Sequence, residues 1–223
     1  MKSKLLIQAL TKFLAGVVLV GALLFVPAGS LGYWHGWVLM LILFVPMFGV
    51  GLVMVAKNPS LLQKRLNAKE KEGEQRSVVA WSGVLFIVAF VLSGLNWRFQ
   101  WWLLPDWCVL CAAVVFVASY LMYAEVLREN TYLSRTIEVQ DDQKVIDTGL
   151  YGIVRHPMYT ATTLLFLMMP LVLGSLVAFL VMLLYIPLII KRIRNEEAVL
   201  AAGLEGYRKY MQRVRYRLIP FVW

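Results

Sequence analysis

The sequence predicts an all-α integral membrane protein with about six transmembrane helices. Hydrophobic residues make up 61% of the 223 residues and charged residues only 16%, whereas about a quarter of the residues in a soluble domain are charged. The mean hydropathy is +0.71. Several apolar runs are long enough to cross a bilayer, and the cationic residues are concentrated in alternate connections between them. These observations predict a multi-pass fold with both termini in the cytosol.

Four apolar runs in the N-terminal half each have about the length of one membrane span. They cover residues 5–26, 37–56, 78–95 and 107–124, and a helix needs about 20 apolar residues to cross the hydrocarbon core. The first run follows Lys2 and Lys4 and contains Lys12 near its start, as in a signal peptide. Because it is as long as a span and further spans follow directly, we expect an uncleaved helix. Residues 1–124 are therefore predicted to form a four-helix N-terminal transmembrane region.

The fifth apolar run, residues 158–190, is too long for one simple span. As a single helix it would extend about 50 Å at 1.5 Å per residue, against a hydrocarbon core of about 30 Å. Pro170 and the Gly174–Ser175 pair lie near its middle, where they favour a turn. We therefore predict a hairpin of two short helices.

A cytosolic tail, residues 191–223, follows the hairpin. Its apolar residues recur at three- and four-residue steps, a pattern that predicts an amphipathic helix on the membrane face. These residues are Val199, Leu200, Leu204, Tyr207, Met211 and Val214.

The distribution of positive charge predicts the orientation. If both termini are cytosolic, 21 of the 22 Lys and Arg residues lie on the inner side, as the positive-inside rule requires. Only Arg98 lies in the remaining connections. We therefore expect the polar motifs described below to face the cytosol, at the inner membrane if the protein is bacterial. Tryptophans flank the connections that contain few cationic residues, as in an aromatic belt at the outer membrane interface. They are Trp34, Trp37, Trp97, Trp101, Trp102 and Trp107.

Three other classes of protein are disfavoured. The net charge of +9 comes from short stretches beside apolar runs, which suits membrane lipid and predicts no nucleic-acid partner. Cys108 and Cys111 lie within an apolar run without further ligands nearby, so we predict no metal site. A channel or transporter would carry ionisable residues within its spans, and the first four runs contain essentially none.

The segment Asp147–Tyr159, which opens the hairpin, carries the first candidate site. Pro157 disfavours helix at the residue before it and suits the first helical turn, so His156 is predicted to be the last extended residue. Gly149 and Gly152 permit close approach of the backbone to a ligand. Free N–H groups beyond Pro157 can bind a carboxylate or phosphate. A simple helix cap and turn is the alternative.

The second candidate site is the charged sequence that follows the hairpin, residues 191–197. On a helix, Arg192 and Glu196 lie one turn apart on a common face. An exposed ion pair is the alternative, but it contributes only about 0.2–0.5 kcal/mol, and Arg before Glu is the less favourable order. A carboxylate at the mouth of an apolar hairpin is better explained by a cationic or polyol ligand.

The order of these motifs resembles that of the isoprenylcysteine carboxyl methyltransferase and phospholipid methyltransferase superfamily. The resemblance covers roughly residues 130–220. It is carried by Gly149-x-Tyr151, Arg155-His156-Pro157-x-Tyr159, the apolar hairpin, Glu196-Glu197, Tyr207-x-x-Tyr210 and Arg217-x-x-Pro220. The family usually has a bulky residue and a glycine just before the first tyrosine of the tail, whereas here the sequence is Gly203-Leu-Glu-Gly-Tyr207, which leaves the alignment after Glu197 open by about one residue.

The resemblance implies an S-adenosylmethionine-dependent methyltransferase, with residues 125–223 as its cofactor-binding catalytic region. The implied acceptor is lipophilic or small: an isoprenylcysteine-like carboxylate, a thiol or a lipid amine. Arg192 would bind and orient it, with Arg194 as the rival, and Arg192 and His156 are the expected catalytic residues. The implied cofactor-binding residues are Gln140, Gln143, Lys144, Val145, Ile146, Tyr151, His156, Pro157, Met158, Tyr159 and Glu196.

A second activity stays open at this point. The C-terminal sequence, residues 214–220, also resembles that of the sterol C14-reductases, which use NADPH. That family normally has more spans than this chain predicts. We therefore keep an NADPH-dependent membrane reductase as the alternative.

Overall fold

The computed structural model describes residues 2–66, 73–133, 139 and 142–223. A 3₁₀ turn, Gly149–Gly152, precedes the C-terminal helices. The predicted all-α class is confirmed. In chain order the helices are α1 (Lys2–Ala28), α2 (Trp34–Lys57), α3 (Pro59–Leu66), α4 (Gly73–Phe99), α5 (Asp106–Glu129), α6 (Pro157–Val172), α7 (Leu176–Met182), α8 (Tyr185–Gly203) and α9 (Tyr207–Arg213).

Five helical segments within the described ranges are long and apolar enough to cross a membrane. Four of them are α1, α2, α4 and α5, in the places of the four predicted N-terminal spans. The fifth is α7 continued by α8, which together cover 28 residues, Leu176–Gly203. The apolar helix α6 has only 16 residues, fewer than the about 20 of a typical span. The chain is thus an integral, multi-pass membrane protein.

The turn between α6 and α7 lies where the sequence predicted it. Gly174 has a φ of +70°, in the left-handed region that favours glycine. The Ser175 hydroxyl oxygen then caps α7 by accepting a hydrogen bond from the Ala178 N–H at 3.2 Å. The turn of the predicted hairpin is confirmed, whereas the second arm consists of α7 and α8 and continues beyond residue 190.

Loops at the same end of the bundle hold the tip of the hairpin. The Tyr33 hydroxyl donates to the Leu173 carbonyl at 2.7 Å. The Leu104 N–H donates to the Gly174 carbonyl at 2.9 Å. Because these bonds satisfy backbone groups that the turn leaves without helical partners, the tip has a fixed position against the loops before α2 and α5.

The bundle core lies between α1, α2, α5 and α6, where Leu24, Leu39, Phe116 and Val172 are fully buried. Helix α6 packs along α5, and α1 packs along α4. A second buried group joins α8 to α6 and α4 and includes Ile193. The hydrophobic effect does not drive helices together within a bilayer, because lipid is as apolar as the side chains. Close packing stabilises the helix contacts instead. This packing fixes α6 and α8 relative to each other at the end that carries the polar residues.

The C-terminal tail differs from its prediction. Helix α8 does not end near residue 190 but continues to Gly203, so the polar residues 191–197 belong to the second arm of the hairpin. The predicted amphipathic helix is divided, because Gly206 has a φ of +80° and the chain turns before α9. Helix formation depends on backbone hydrogen bonds rather than on apolar side chains, and an apolar run therefore underestimated the length of α8.

Hydrogen bonds and contacts join α1, α3 and the start of α6 at one end of the bundle. Lys12 of α1 donates to the Leu66 carbonyl at the end of α3, at 2.7 Å. Arg65 of α3 contacts Met158 of α6. The two residues before α6, Arg155 and His156, donate backbone hydrogen bonds to the C-terminal segment.

We expect Gly174→Ala to lower the free energy of unfolding by about 1–2 kcal/mol, because an L-residue is strained in the left-handed region. The added Cβ would also lie 3.1 Å from Cε1 of His35. Thermal unfolding of the purified protein in detergent measures this change. Gly83→Ala in α4 is the control, since a Cβ there meets no atom within 4 Å. Equal midpoints for the two variants would contradict the assigned turn.

Candidate functional site

The polar motifs meet at one end of α6 and α8. His156 is the residue before α6 and Pro157 is the first residue of that helix, as the sequence predicted. The Arg155 N–H donates to the Tyr216 carbonyl at 2.9 Å. The His156 N–H donates to the Arg217 carbonyl, also at 2.9 Å. The start of α6 is thereby tied to the segment after α9.

Glu197 is the centre of a buried charge cluster. Its Oε1 accepts a hydrogen bond from Arg155 Nε at 2.7 Å and lies 3.3 Å from His156 Nε2. Its Oε2 accepts one from Arg217 Nε at 2.8 Å. The side chains of Glu197 and Arg155 are each only 5% exposed. Because a charge buried this deeply must be compensated, the cluster joins α8, the segment before α6 and the C-terminal segment.

The neighbouring carboxylate, Glu196, has a different environment. The Tyr159 hydroxyl donates to Glu196 Oε2 at 2.5 Å, and Arg192 Nε donates to the same hydroxyl oxygen at 2.9 Å. Nδ1 of His156 lies 3.9 Å from Glu196 Oε1. The Glu196 carboxylate, the Tyr159 hydroxyl and the Arg192 guanidinium thus form a hydrogen-bonded row between α6 and α8.

Three buried tyrosines cover the other side of this row. The Tyr210 hydroxyl donates to the Tyr151 carbonyl at 2.8 Å, and Asn130 Nδ2 donates to the Tyr151 hydroxyl at 2.9 Å. The buried Tyr207 hydroxyl has no hydrogen-bond partner among the described residues. Burial raises the pKa of all three hydroxyls. They therefore stay protonated at neutral pH and can donate hydrogen bonds.

These side chains enclose a cleft that we name the polar pocket. Its volume is about 100 Å³, smaller than the about 300–1,000 Å³ of a typical ligand pocket. Most of the residues predicted for the site line it together. They are Gln143, Lys144, Val145, Ile146, Tyr151, His156, Met158, Tyr159, Arg192 and Glu196.

Three predicted residues are not among the lining residues. Pro157 is buried as the first residue of α6, where it fixes the start of the helix. Arg194 is exposed and does not line the polar pocket, whereas Arg192 does. Two residues are about 200° apart around a helix, so the two arginines point in nearly opposite directions. Gln140 lies outside the described residues.

Sequence reasoning did not select several residues that build the site. Arg155 and Glu197 belong to the Arg-His-Pro and Glu-Glu motifs. Local spacing, however, does not show which of the two neighbouring glutamates is buried. Asn130, Tyr207 and Tyr210 also line the polar pocket. The two tyrosines carried a signal in their Tyr-x-x-Tyr spacing, which places them on one face of α9.

Fold and site together define a class of protein. It is a helical, multi-pass membrane protein with a polar pocket between a helix that starts at Arg-His-Pro and a helix that carries Glu-Glu. The model of the isoprenylcysteine carboxyl methyltransferase (ICMT) family matches residues 108–202, from α5 to the end of α8. This part of the chain carries an ICMT-family region, and the resemblance identified from the motifs is confirmed.

A solved structure supports the same fold. It is that of the eukaryotic intramembrane Ras methyltransferase ICMT (isoprenylcysteine carboxyl methyltransferase), solved without a monobody. The TM-score is 0.51 at 17% sequence identity, over 85% of this chain and 74% of that chain. At this identity the likeness concerns the fold alone. No curated protein matches the sequence.

We expect Glu197→Gln to lower the free energy of unfolding by about 3 kcal/mol, because it leaves buried cationic groups without their counter-charge. Thermal unfolding in detergent measures the loss. Glu205→Gln is the matched control, since Glu205 is exposed. A similar small effect in both variants would show that the buried cluster does not hold these elements together.

Proposed function

We propose that the protein is an S-adenosylmethionine-dependent methyltransferase that methylates a lipophilic or small acceptor at the membrane. The observation that carries this proposal is the convergence of Glu196, Tyr159 and Arg192 with residues 143–146 in one pocket. The ICMT-family region supports it, because it spans α5 to α8, which supply those three side chains and His156.

The polar pocket fits the cofactor chemically. Glu196 offers a carboxylate to an ammonium group or to ribose hydroxyls. The Tyr207 hydroxyl is a buried donor facing the same space, without a partner in the described part of the chain. Apolar walls from Val145, Leu200 and Leu204 suit an aromatic base. When bound, the cofactor supplies an electrophilic methyl group whose bond to sulfur breaks as an electron pair of the acceptor forms the new bond.

Arg192 is the proposed acceptor-binding residue. Its guanidinium can bind two oxygens of a carboxylate or phosphate at once, and its bond to the Tyr159 hydroxyl fixes its direction. Methyl transfer then depends mainly on holding donor and acceptor in line. A carboxylate or thiolate acceptor needs no general base, whereas an amine or hydroxyl does.

The role of His156 remains a prediction. Its Nε2 is 3.3 Å from the buried Glu197 and its Nδ1 is 3.9 Å from Glu196. These contacts favour a positioning role, in which the imidazole keeps both carboxylates in place, over direct proton transfer.

We also propose that the polar pocket faces the cytosol. If both termini lie in the cytosol, 21 of the 22 Lys and Arg residues fall on the cytosolic side, together with the motifs that line the pocket, as the positive-inside rule requires. A water-soluble cofactor would reach it there.

An NADPH-dependent reduction is the alternative that the C-terminal sequence raised. The ICMT-family region favours methyl transfer over it. Competition between NADPH and S-adenosylhomocysteine for the purified protein separates the two, because a reductase would bind the dinucleotide in preference.

We expect S-adenosylhomocysteine to bind the purified protein saturably, and Glu196→Gln to weaken that binding about tenfold through loss of one charged hydrogen-bond acceptor. Isothermal titration calorimetry in a detergent that preserves the fold measures both affinities. Glu205→Gln should leave the affinity unchanged. Absence of binding to the folded protein at millimolar ligand would falsify the proposed function.

We expect Arg192→Ala to lower kcat by about 10- to 100-fold, as expected for loss of a charge-assisted hydrogen bond in the reacting complex, while the affinity for S-adenosylhomocysteine is kept. The assay uses labelled S-adenosylmethionine with a panel of prenylcysteine analogues, thiols and membrane lipids. Arg194→Ala is the control, since Arg194 does not line the polar pocket. Equal turnover of both variants with a competent acceptor would refute the assignment of Arg192.

A further inference from the structure

The segment after α9, residues 214–223, carries a patch of exposed apolar side chains. Ile219, Phe221 and Val222 are each more than half exposed, and Phe221 is 87% exposed. We name these three residues the apolar tip. None of them lines the polar pocket. Large apolar groups that lie together on a surface mark a contact with another molecule or with lipid.

The backbone holds the apolar tip in a sharp turn. Phe221 has a φ of +65°, in the left-handed region that disfavours any residue with a Cβ. The N–H groups of residues 217–219 all donate to the main-chain oxygen of Trp223, at 2.8–3.1 Å. The centroid of the Phe221 ring lies 5.3 Å from that of the Tyr216 ring. These contacts fix a strained turn that presents Phe221 outward, and such strain persists only where the surrounding structure imposes it.

Contacts with α6 and α8 give the depth of the apolar tip in the membrane. The Thr160 hydroxyl, in the first turn of α6, donates to the Leu218 carbonyl at 2.9 Å. The preceding Tyr159 accepts a hydrogen bond from Arg192 of α8. The span formed by α7 and α8 is apolar as far as residue 190, and its charged residues begin at 191. Since charged residues near the end of a span reach the headgroups, the apolar tip, which directly follows Leu218, lies at the depth of the membrane interface.

The same part of the chain is strongly cationic. From Gly206 to Trp223 the sequence holds five Lys and Arg residues and no acidic residue. One of them, Arg217, bonds to Glu197, and Arg213 pairs with Asp147. Clusters of four or more cationic residues beside a membrane span bind anionic phospholipid headgroups. Four of the five side chains are exposed: Arg208, Lys209, Arg213 and Arg215.

We propose that the apolar tip inserts into the boundary between headgroups and acyl chains of the adjacent leaflet, and that the exposed cations beside it bind anionic phospholipid. Insertion is favourable because the exposed Phe221 ring leaves water. Arg215 is the exposed cation closest to the tip in the sequence. An anionic lipid surface matches the apolar character, the charge and the depth of this segment together. An acidic protein in solution would match the charge alone.

Insertion of the tip also bears on the buried ion cluster. Arg217 Nε donates to Glu197 at 2.8 Å, and the Arg217 guanidinium carbon lies 5.2 Å from the centroid of the Trp223 ring. The base of the tip therefore supplies one of the cations that compensate Glu197. A tip held in lipid fixes this cation at a constant depth, whichever cofactor the polar pocket binds.

The depth of the tip is tested by spin labelling of the chain in nanodiscs of phosphatidylcholine with one-third phosphatidylglycerol. A nitroxide at Val222→Cys, in a Cys108→Ser, Cys111→Ser background, should collide more often with oxygen, which concentrates in lipid, than with a water-soluble nickel chelate. Glu205→Cys is the matched control and should favour nickel. Glu205 is exposed and follows α8, whose end lies about 20 Å beyond residue 191 at 1.5 Å per residue.

Two substitutions of Phe221 in the same background test the insertion itself. Phe221→Asn should lower the oxygen-to-nickel ratio at position 222 severalfold, because it removes the apolar ring and keeps a residue that tolerates the left-handed region. Phe221→Trp should keep the ratio, since Trp suits the membrane interface. A ratio that favours nickel at position 222 without these substitutions would overturn the inference, and so would a ratio that Phe221→Asn leaves unchanged.

The lipid preference is tested by photo-crosslinking with phosphatidylglycerol and phosphatidylcholine that carry a diazirine, in the same nanodiscs. We expect the anionic lipid to label the tryptic peptide 218–223 more strongly. Arg215→Gln should lower this preference about fivefold, the effect of one cation beside an anionic surface. Arg98→Gln should not, because Arg98 is exposed beside Gly29 at the other end of the bundle. Equal labelling of the peptide by the two lipids would overturn the proposed anionic partner.

Discussion

The buried carboxylate of Glu197 is the constraint on which the site depends. Arg155, His156 and Arg217 surround it at 2.7–3.3 Å, and they come from the segment before α6 and the segment after α9. An uncompensated charge in such a setting costs several kcal/mol, so the three segments are stable only together. Their mutual position fixes the end of α8 against the start of α6.

The contacts of Glu197 fix the rotation of α8 about its axis. This rotation also decides which residues of α8 face the polar pocket. Successive residues on a helix point about 100° apart, so Glu196 turns toward Tyr159 when Glu197 faces Arg155 and Arg217. Arg192, one turn before Glu196, lies on the same face. One ion cluster therefore sets the position of the two charged groups to which we assign cofactor and acceptor binding.

The membrane adds a second constraint, because polar and apolar molecules need separate spaces in the protein. The first turn of α6 separates two such spaces. The polar pocket is lined by charged and hydroxyl groups on one side of this turn, and a mostly apolar cavity between α1, α2, α3, α5 and α6 lies on the other. A reaction between a water-soluble donor and a lipid-soluble acceptor requires that the two meet without moving the donor into lipid or the acceptor into water.

The sequence by itself determined the four N-terminal spans, the hairpin turn at Gly174, the helix start at His156–Pro157 and most of the residues of the polar pocket. Each follows from local backbone preference, apolar run length or a motif within a short segment. Only the tertiary structure decided that α8 continues to Gly203, that Arg192 rather than Arg194 lines the pocket, and that Glu197 is buried. Glu197 pairs with Arg155 over 42 residues of chain, and the polar pocket is lined by residues from Asn130 to Tyr210. Contacts of this kind depend on how distant helices pack, which no local pattern encodes.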